Sequence, residues 1–186
     1  MLLLVGLGNP TPNSNNNRHN VRFKIVDAIN QKFGLSKQKP KFKGLLTTGT
    51  IGDKKIYAIK PLTFMNNSGI CIRELLEYFK MDAEDVIVFH DDLDVEFGKI
   101  KAKFGGSSAG HNGIASIDKF IGKDYSRVRI GIGKPENKIS VSDYVLNDFS
   151  DDEQEHLEKI TSNIIDSLSI LIDKKLDLFS STVNNN

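Results

Sequence analysis

Short apolar runs alternate along this chain with segments whose apolar residues recur at helical spacing. Residues 2–5 and 86–89 are continuous apolar runs of strand length, which is typical of strands buried on both faces of a sheet. Residues 21–33 instead repeat apolar side chains every three or four positions, and Gly34 follows as a helix stop. Strands that alternate with helices predict an α/β fold: one domain over residues 1–186, with a twisted mixed, mostly parallel sheet flanked by helices.

Capping residues and alternation predict the remaining elements. Ser68 is expected to cap a helix, and Ser150 with Glu153 has the pattern of a capping box that starts a last helix at about residue 150. The three terminal asparagines are expected to fray. Further strands are predicted at residues 45–50, 55–60, 99–104 and 127–132.

Composition narrows the class of protein. A chain of 186 residues is long enough for one domain with a sizeable core, and its apolar runs are too short to span a bilayer. Cys71 is the single cysteine, which excludes an internal disulfide and a thiolate metal pattern. The formal net charge of +1 does not by itself indicate nucleic-acid binding, so any basic surface must be local. We therefore expect a soluble intracellular protein.

Polar residues stand where the predicted strands end and where helices begin. In open α/β sheets, sites form beyond the carboxyl ends of the strands. Asn9, Asn66 and Asp91 follow strands in this way, and His19 and Asn112 enter helices. We expect these five side chains to converge on one crevice.

His19 is the candidate general base, because an imidazole titrates near neutrality and accepts a proton from water. Asp91 is its candidate partner, which would fix the tautomer and stabilise the imidazolium formed during reaction. The alternatives are that His19 only caps its helix and that Asp91 is only a residue at a strand end. No activated side-chain nucleophile is evident, because Cys71 falls on a helix as a core residue. Water is the expected attacker.

Asn9 and Asn66 offer neutral amides. Such groups orient a carbonyl or donate hydrogen bonds to a developing oxyanion without adding charge. Turn and capping chemistry is the alternative for both, because asparagine is common at such positions and Asn9 stands between Gly8 and Pro10.

The histidines and glycines do not predict a metal or a nucleotide cofactor. No two histidines lie four positions apart on a helix, although a site assembled in space from two histidines and an aspartate is an open alternative. His90 is expected to support a strand end, and His111 to pack where a loop meets its helix. Gly6 and Gly8 begin a dinucleotide fingerprint, but Thr11 replaces its third glycine. We expect no metal and no cofactor.

Cations alternate along two of the predicted strands. Lys99, Lys101 and Lys103 project to one face of the first strand, and Arg127 and Arg129 to one face of the second. Beside the glycine-rich loop between these strands, they form a candidate phosphate-binding surface. The alternative is that they form only the solvated face of the sheet.

Six short segments together resemble the signature blocks of bacterial-type peptidyl-tRNA hydrolases. Their order and spacing match that family from residue 2 to about residue 147, and six blocks in order are highly specific. The blocks are Gly6-Leu7-Gly8-Asn9-Pro10, Arg18-His19-Asn20, Lys60-Pro61 with Thr63-Phe64-Met65-Asn66, His90-Asp91-Asp92-Leu93-Asp94, Gly110-His111-Asn112-Gly113 and Arg129-Ile130-Gly131-Ile132-Gly133.

The resemblance implies hydrolysis of the ester between a peptide and the terminal ribose of tRNA, which recycles tRNA and needs no cofactor. It implies His19 as the base and Asp91 as its partner. We expect peptidyl-tRNA as the binding partner of a monomeric cytoplasmic enzyme, with no membrane and no metal. The resemblance also implies that Asn9, Asn66 and Asn112 position the substrate and the attacking water. It implies that Phe64 and Met65 form a wall near the ester. It further implies that Lys103 and Arg129 bind the 5′ phosphate of the tRNA.

The sequence departs from the family's usual residues near the site entrance. Ser14, at a position expected to contact substrate, stands where tyrosine is usual, and Thr11 and Arg22 stand where glycine is usual. A serine cannot stack on substrate or close over it as an aromatic ring does. These departures motivate one alternative, an RNA-binding, splicing-associated relative of the same fold with little or no hydrolase activity. A generic small-molecule esterase is another.

Overall fold

The structure is a computed structural model that describes residues 1–10, 17–136 and 139–186, with only the backbone of His19. Within these ranges seven strands form one sheet, in the order β2-β3-β4-β1-β5-β7-β6. The strands are β1 Leu2–Gly6, β2 Lys39–Lys41, β3 Gly44–Ile51, β4 Lys54–Pro61, β5 Val86–Asp92, β6 Ile100–Phe104 and β7 Ser126–Gly131. Neighbouring strands are parallel from β4 through β1 and β5 to β7, and antiparallel in β2-β3-β4 and β7-β6. The predicted mixed sheet is confirmed.

Helices cover both faces of this sheet. The side chains of β1 explain the two layers, because successive residues of a strand point to opposite faces. Leu2 and Leu4 join the apolar cluster formed with α1 and the C-terminal helices, whereas Leu3 and Val5 join the cluster formed with α2 and α3. No helix within the described ranges is long and apolar enough to cross a membrane. The helices are α1 Val21–Lys32, α2 Ser68–Phe79, α3 Asn112–Ile121, α4 Val141–Leu146, α5 Asp151–Asp166, α6 Leu168–Ile172 and α7 Leu176–Asn185.

The C-terminal region differs from the single helix predicted for it. Ser150 and Glu153 form the predicted capping box, but α5 ends at Asp166 and two shorter helices follow. Asn184 is not frayed: its side-chain oxygen accepts a hydrogen bond from the N–H of Ile100 at 2.9 Å, and its amide nitrogen donates to the Ile100 carbonyl at 2.7 Å. The reason is that β6 is an edge strand, whose outward backbone groups need partners.

Two local predictions are also corrected. β5 continues beyond its apolar run as far as Asp92, because β7 extends the ladder, so Asp91 pairs with Ile130 within the strand instead of following it. Ser68 is the first residue of α2 and not its cap. Its hydroxyl donates to the carbonyl of Met65 at 2.8 Å and so ties the helix to the preceding turn.

Candidate active site

The carboxyl ends of three parallel strands bring polar residues to one edge of the sheet. Asn9 follows β1, Asn66 lies in a one-turn 3-10 helix after β4, and Asp91 lies near the end of β5. Asn112 is the first residue of α3, and this helix packs against the turn that carries Asn66. Four of the predicted site residues therefore come from four separate segments to one side of the molecule.

Two cavities with a shared wall lie at this edge. The smaller has a volume of about 240 Å³, and its lining includes Asn9, Phe64, Met65, Asn66 and Asn112. The larger has a volume of about 460 Å³, and its lining includes Met65, Asp91, Asp92, His111 and Asn112. Met65 and Asn112 line both, so the cavity that the three asparagines line adjoins the cavity that Asp91 lines. The combined space is a cleft with neutral donors at one end and a carboxylate at the other.

Asp91 is buried and holds two cationic or proton-donating partners. Its Oδ1 lies 2.6 Å from Nε2 of His111 and 3.2 Å from Nη1 of Arg22. The Arg22 side chain is completely buried and that of Asp91 is 3% exposed, so little water screens the pair. A carboxylate in this setting is compensated by charge and by hydrogen bonding, as a buried charge requires.

His111 caps α3 with its side chain. Its Nδ1 accepts hydrogen bonds from the backbone N–H groups of Gly113 and Ile114, at 3.1 and 3.2 Å. A ring nitrogen that accepts in this way carries no proton, so the proton of the neutral ring is on Nε2 and is donated to Asp91. His111 lies at the loop–helix junction as predicted, but its contact with Asp91 is missed by sequence reasoning. The signal for it was its place in the Gly110-His111-Asn112-Gly113 block.

Arg22 was noted in the sequence only as a departure from the family pattern. It is the second residue of α1, and its Nη1 donates to the carbonyl of Arg18 at 2.9 Å as well as facing Asp91. Burial lowers the pKa of Arg22 to about 10, and the charge of Asp91 opposes that shift. The guanidinium therefore remains charged at neutral pH.

Arg18 anchors the segment that contains His19. Its guanidinium donates to the carbonyls of Asn147 and Asp148, at 3.3 and 3.0 Å, and pairs with Glu153 at 3.2 Å. It also lies over the ring of Tyr144, 4.4 Å from the ring centroid. These contacts attach the 3-10 turn Arg18–Asn20 to the start of α5.

Asn9 is held by reciprocal hydrogen bonds with Asn20. The backbone N–H of Asn9 donates to Oδ1 of Asn20 at 2.7 Å, and Nδ2 of Asn20 donates to the Asn9 carbonyl at 3.1 Å. The loop after β1 is thereby fixed to the turn that carries the backbone of His19. Ser14, Thr11 and the side chain of His19 lie outside the described residues, so their predicted roles stay predictions.

His90 supports the strand end, as expected. Its ring lies 2.8 Å through Nδ1 from the carbonyl of Asp91, and it is 4% exposed. Burial first, and the nearby ring of His111 second, lower the pKa of His90 to about 3. The ring is therefore neutral at physiological pH and donates from Nδ1.

The cationic surface differs in part from its prediction. Nε of Arg129 donates to Asp92 at 2.7 Å, and Lys103 is partly buried on the neighbouring strand β6. Burial and the charge of Arg129 lower the pKa of Lys103. Burial alone would raise the pKa of Asp92, but the hydrogen bonds of Arg129 and the Asp94 backbone lower it overall. The charges of Lys103 and Arg129 therefore act on each other, and their joint binding of an anion stays a prediction.

Arg127 does not belong to this surface, which corrects the sequence interpretation. Its side chain is 1% exposed, donates to Asp118 at 2.8 Å and donates to the Ser107 carbonyl at 2.8 Å. The alternation of β7 places Arg127 and Arg129 on one face, but α3 covers that face at Arg127 with an acidic partner. The cation therefore has a structural role.

No thiol or metal centre accompanies the cleft within the described ranges. Cys71 is buried in the core, and burial raises its pKa to about 12, so its thiol is protonated and unreactive. No three described histidine, cysteine, aspartate or glutamate side chains come together as metal ligands do.

Several known proteins that resemble this chain are peptidyl-tRNA hydrolases. A family model described as peptidyl-tRNA hydrolase matches residues 3–186. The chain is similar to the peptidyl-tRNA hydrolase of Pelagibacter ubique, with 82% identity over 185 residues and 100% of both chains covered. It is similar to that of Gluconobacter oxydans, with 42% identity and 98% and 97% of the two chains covered. It also resembles the crystal structure of the peptidyl-tRNA hydrolase of Acinetobacter baumannii, with a TM-score of 0.91, 32% identity and 99% and 94% of the chains covered.

Proposed function

The chain belongs to the peptidyl-tRNA hydrolase family, whose enzymes act on the ester bond of peptidyl-tRNA, and we propose that it cleaves this ester by a water attack in which His19 is the general base. The observation that carries the proposal is the cleft that joins the three amides of Asn9, Asn66 and Asn112 to the carboxylate of Asp91. Ester hydrolysis needs a base for water and neutral donors for the oxyanion, and this cleft supplies a partner for the first and candidates for the second.

The proton path begins at the attacking water. His19 takes its proton as the oxygen bonds to the ester carbonyl carbon, and the imidazolium then protonates the departing 3′ oxygen of the ribose. Asp91 stabilises that imidazolium. Its burial supports this role, because the interaction of a carboxylate with a nearby cation is stronger where water is excluded.

The amides act on the substrate. Asn9 and Asn66 hold the ester carbonyl and the water, and Asn112 orients the peptide backbone. Asn9 is suited to this role because its backbone is fixed by Asn20, so its side chain starts from a defined position. Phe64 and Met65 form the apolar wall near the ester, and we assign Ser14 to substrate contact from the family resemblance alone.

The tRNA is held at a second point. We assign Lys103 and Arg129 to the 5′ phosphate, which an ammonium and a guanidinium side by side recognise by charge and hydrogen bonding. Asp92 orients Arg129 through a hydrogen bond to its Nε. The enzyme acts as a monomer in the cytoplasm, where its substrate is made.

A hydrolysis assay tests the base. Purified enzyme in excess chelator should release tRNA from N-acylated aminoacyl-tRNA and much less from the unblocked form. His19→Ala should lower kcat by about 100-fold or more, as the loss of a general base does. His156→Ala, an exposed histidine of α5, is the matched control and should keep normal turnover. Near-normal turnover of His19→Ala would remove the base assignment.

The comparisons do not favour the RNA-binding alternative. The family model and the reported relatives are described as hydrolases. The residues that motivated the alternative, Ser14 and Thr11 among them, do not remove any group assigned to the reaction.

A further inference from the structure

We infer that Arg22 is a positioning residue for the reaction, and that its buried guanidinium holds the His19 segment against Asp91 and keeps the site from taking up a proton. The inference rests on the proposed function, because it gives Arg22 its effect through His19 and Asp91. It assigns a role to a residue at which the family pattern has glycine.

The position of Nη1 of Arg22 supports the first part of the inference, that Arg22 holds the His19 segment against Asp91. This one nitrogen lies 2.9 Å from the carbonyl oxygen of Arg18 and 3.2 Å from Oδ1 of Asp91. Arg18 directly precedes His19 in the 3-10 turn, and Asp91 is on β5. A single guanidinium therefore joins the two segments whose separation decides whether base and carboxylate can interact. Because the side chain is fully buried, it has little freedom to leave this position.

The charge of Arg22 supports the second part of the inference, that Arg22 keeps the site from taking up a proton. With a pKa of about 10, the guanidinium is a permanent cation over the working range of the enzyme. Arg22 and His111 both contact Oδ1 of Asp91, so Arg22 interacts with the same carboxylate that would stabilise an imidazolium. A fixed positive charge at this distance, with little water between, disfavours an additional proton anywhere in the site.

Other charged and titratable groups surround this pair without replacing Arg22. Arg18 is neutralised by Glu153, and Arg129 by Asp92. The described charged and titratable groups on the elements around the pair are Arg18 from the 3-10 turn, His90 and Asp92 from β5, Arg129 from β7 and His111 from the start of α3. Among the described residues, Asp91 pairs with Arg22 and His111, whereas Arg18 and Arg129 pair with other carboxylates.

Substitution of Arg22 tests the charge. Arg22→Gln keeps an amide donor for the Arg18 carbonyl but removes the charge, and Arg22→Lys keeps the charge. The acid limb of the kcat/KM profile against pH should move upward by about one pH unit in Arg22→Gln, a fall of about 10-fold on that limb. Arg22→Lys should keep the acid limb of the wild type. An unmoved limb in Arg22→Gln, or an equal shift in both variants, would overturn the inference.

Arg127→Gln is the matched control. It also breaks the ion pair of a buried arginine with an aspartate, so it should reproduce the loss of stability. Its position on β7 is three residues from that of Ile130, the partner of Asp91, which is about 10 Å along the strand. Its acid limb should stay in place. A shift equal to that of Arg22→Gln would mean that lost stability moves the profile, and would overturn the inference.

A measurement on the unmodified protein remains decisive if the variants do not fold. Carbon-13 NMR of the Asp91 carboxyl group should show a carboxylate at neutral pH, because the guanidinium of Arg22 contacts its Oδ1. A protonated Asp91 carboxyl group at neutral pH would overturn the inference. An inactive wild-type enzyme would instead refute the proposed function, and a normal hydrolase with an unshifted Arg22→Gln profile would refute only the role of Arg22.

Discussion

His111 illustrates how one side chain binds both the start of a helix and a carboxylate of the cleft. A neutral imidazole has one acceptor and one donor, and His111 uses the acceptor on the first turn of α3 and the donor on Asp91. The cap therefore keeps the proton of the neutral ring on Nε2, and this N–H group is the one that His111 donates to Asp91. Any change that protonates Nδ1 loses the cap, so the start of α3 and the carboxylate are coupled through one ring.

The buried ring of His90 predicts a pH dependence of stability. Its pKa is about 3 in the folded protein against the ordinary 6.5, so only the unfolded chain takes up this proton between the two values. The resulting stability is fully present above pH 6.5 and is lost as pH falls toward 3. His90→Asn keeps a donor for the Asp91 carbonyl without a titratable ring. It should flatten the slope of the unfolding free energy by about 1 kcal/mol per pH unit between about pH 6 and pH 5.

Urea unfolding at several pH values measures this slope. His156→Asn is the control, because His156 is exposed on α5 and should leave the slope as in the wild type. The variant will also lose some stability at every pH from the smaller side chain, so the slope is the quantity to compare. Equal slopes in wild type and His90→Asn would contradict the burial effect.

Some residues of the cleft are predictable from sequence, and others are not. Asn9 and Asn66 follow strands and Asp91 lies near the end of one, and the topology of α/β sheets brings the ends of parallel strands to one edge. The contact between Arg22 and Asp91 depends on which strand lies beside the first turn of α1. No local pattern encodes that neighbour, so the contact appears only in the folded chain.

At the scale of elements, α7 protects the edge of the sheet at β6. Ser180 accepts a hydrogen bond from the N–H of Ala102 at 2.8 Å, and Asn184 bonds to both backbone groups of Ile100. A helix thereby occupies the hydrogen-bonding positions that another strand would use. This arrangement blocks edge-to-edge pairing with a second molecule.

Substitution of Asn184 tests this cover. Asn184→Ala leaves the N–H and carbonyl of Ile100 without their partner, which should lower the unfolding free energy by about 1–3 kcal/mol. Asn185→Ala is a matched control, because Asn185 is exposed on the same helix and should change stability by less than about 0.5 kcal/mol. Chemical denaturation of both variants gives the difference. If they lose the same stability, the hydrogen bonds to β6 contribute nothing.

The C-terminal helices also show why the sequence pattern predicts one long helix where the structure has three shorter ones. The apolar series of α5 continues in Leu168 and Leu171, because α6 packs on the same core as α5 does. The chain nevertheless breaks at Ser167 and again at Lys174, which takes a φ of 59°. Apolar residues at helical spacing indicate a buried helix face. Several short helices that pack one after another on the same core keep that spacing, so the spacing alone does not show where one helix ends.

At the scale of the molecule, the apolar core and the candidate active site lie in different parts of the fold. The sheet separates two apolar layers, and the cleft lies at the edge where parallel strands end, so neither layer supplies the reacting groups. This division was predictable, because alternating strands and helices imply both the layers and the edge. The order β4-β1-β5-β7, which decides which strand ends are neighbours, was not predicted.

The whole-molecule charge sets how the enzyme meets tRNA. A formal net charge of +1 gives little long-range attraction, so the salt dependence of KM should come from the few cations that touch phosphate. Lys103→Ala and Arg129→Ala should each raise KM and reduce the slope of log KM against log salt concentration by about 0.7–0.9, the value for one lost phosphate contact. Turnover at saturating substrate should change far less.

Lys159→Ala separates local from global charge. It removes the same unit of charge from α5, which packs on the sheet face opposite to Lys103, since Ala102 and not Lys103 points toward the α5 cluster. Its salt slope should equal that of the wild type, and steady-state kinetics with 5′-phosphorylated substrate at several salt concentrations will measure it. Equal slopes in all three variants and the wild type would show that phosphate is bound elsewhere. A slope reduced equally in all three would mean that net charge, and not a local contact, governs the encounter.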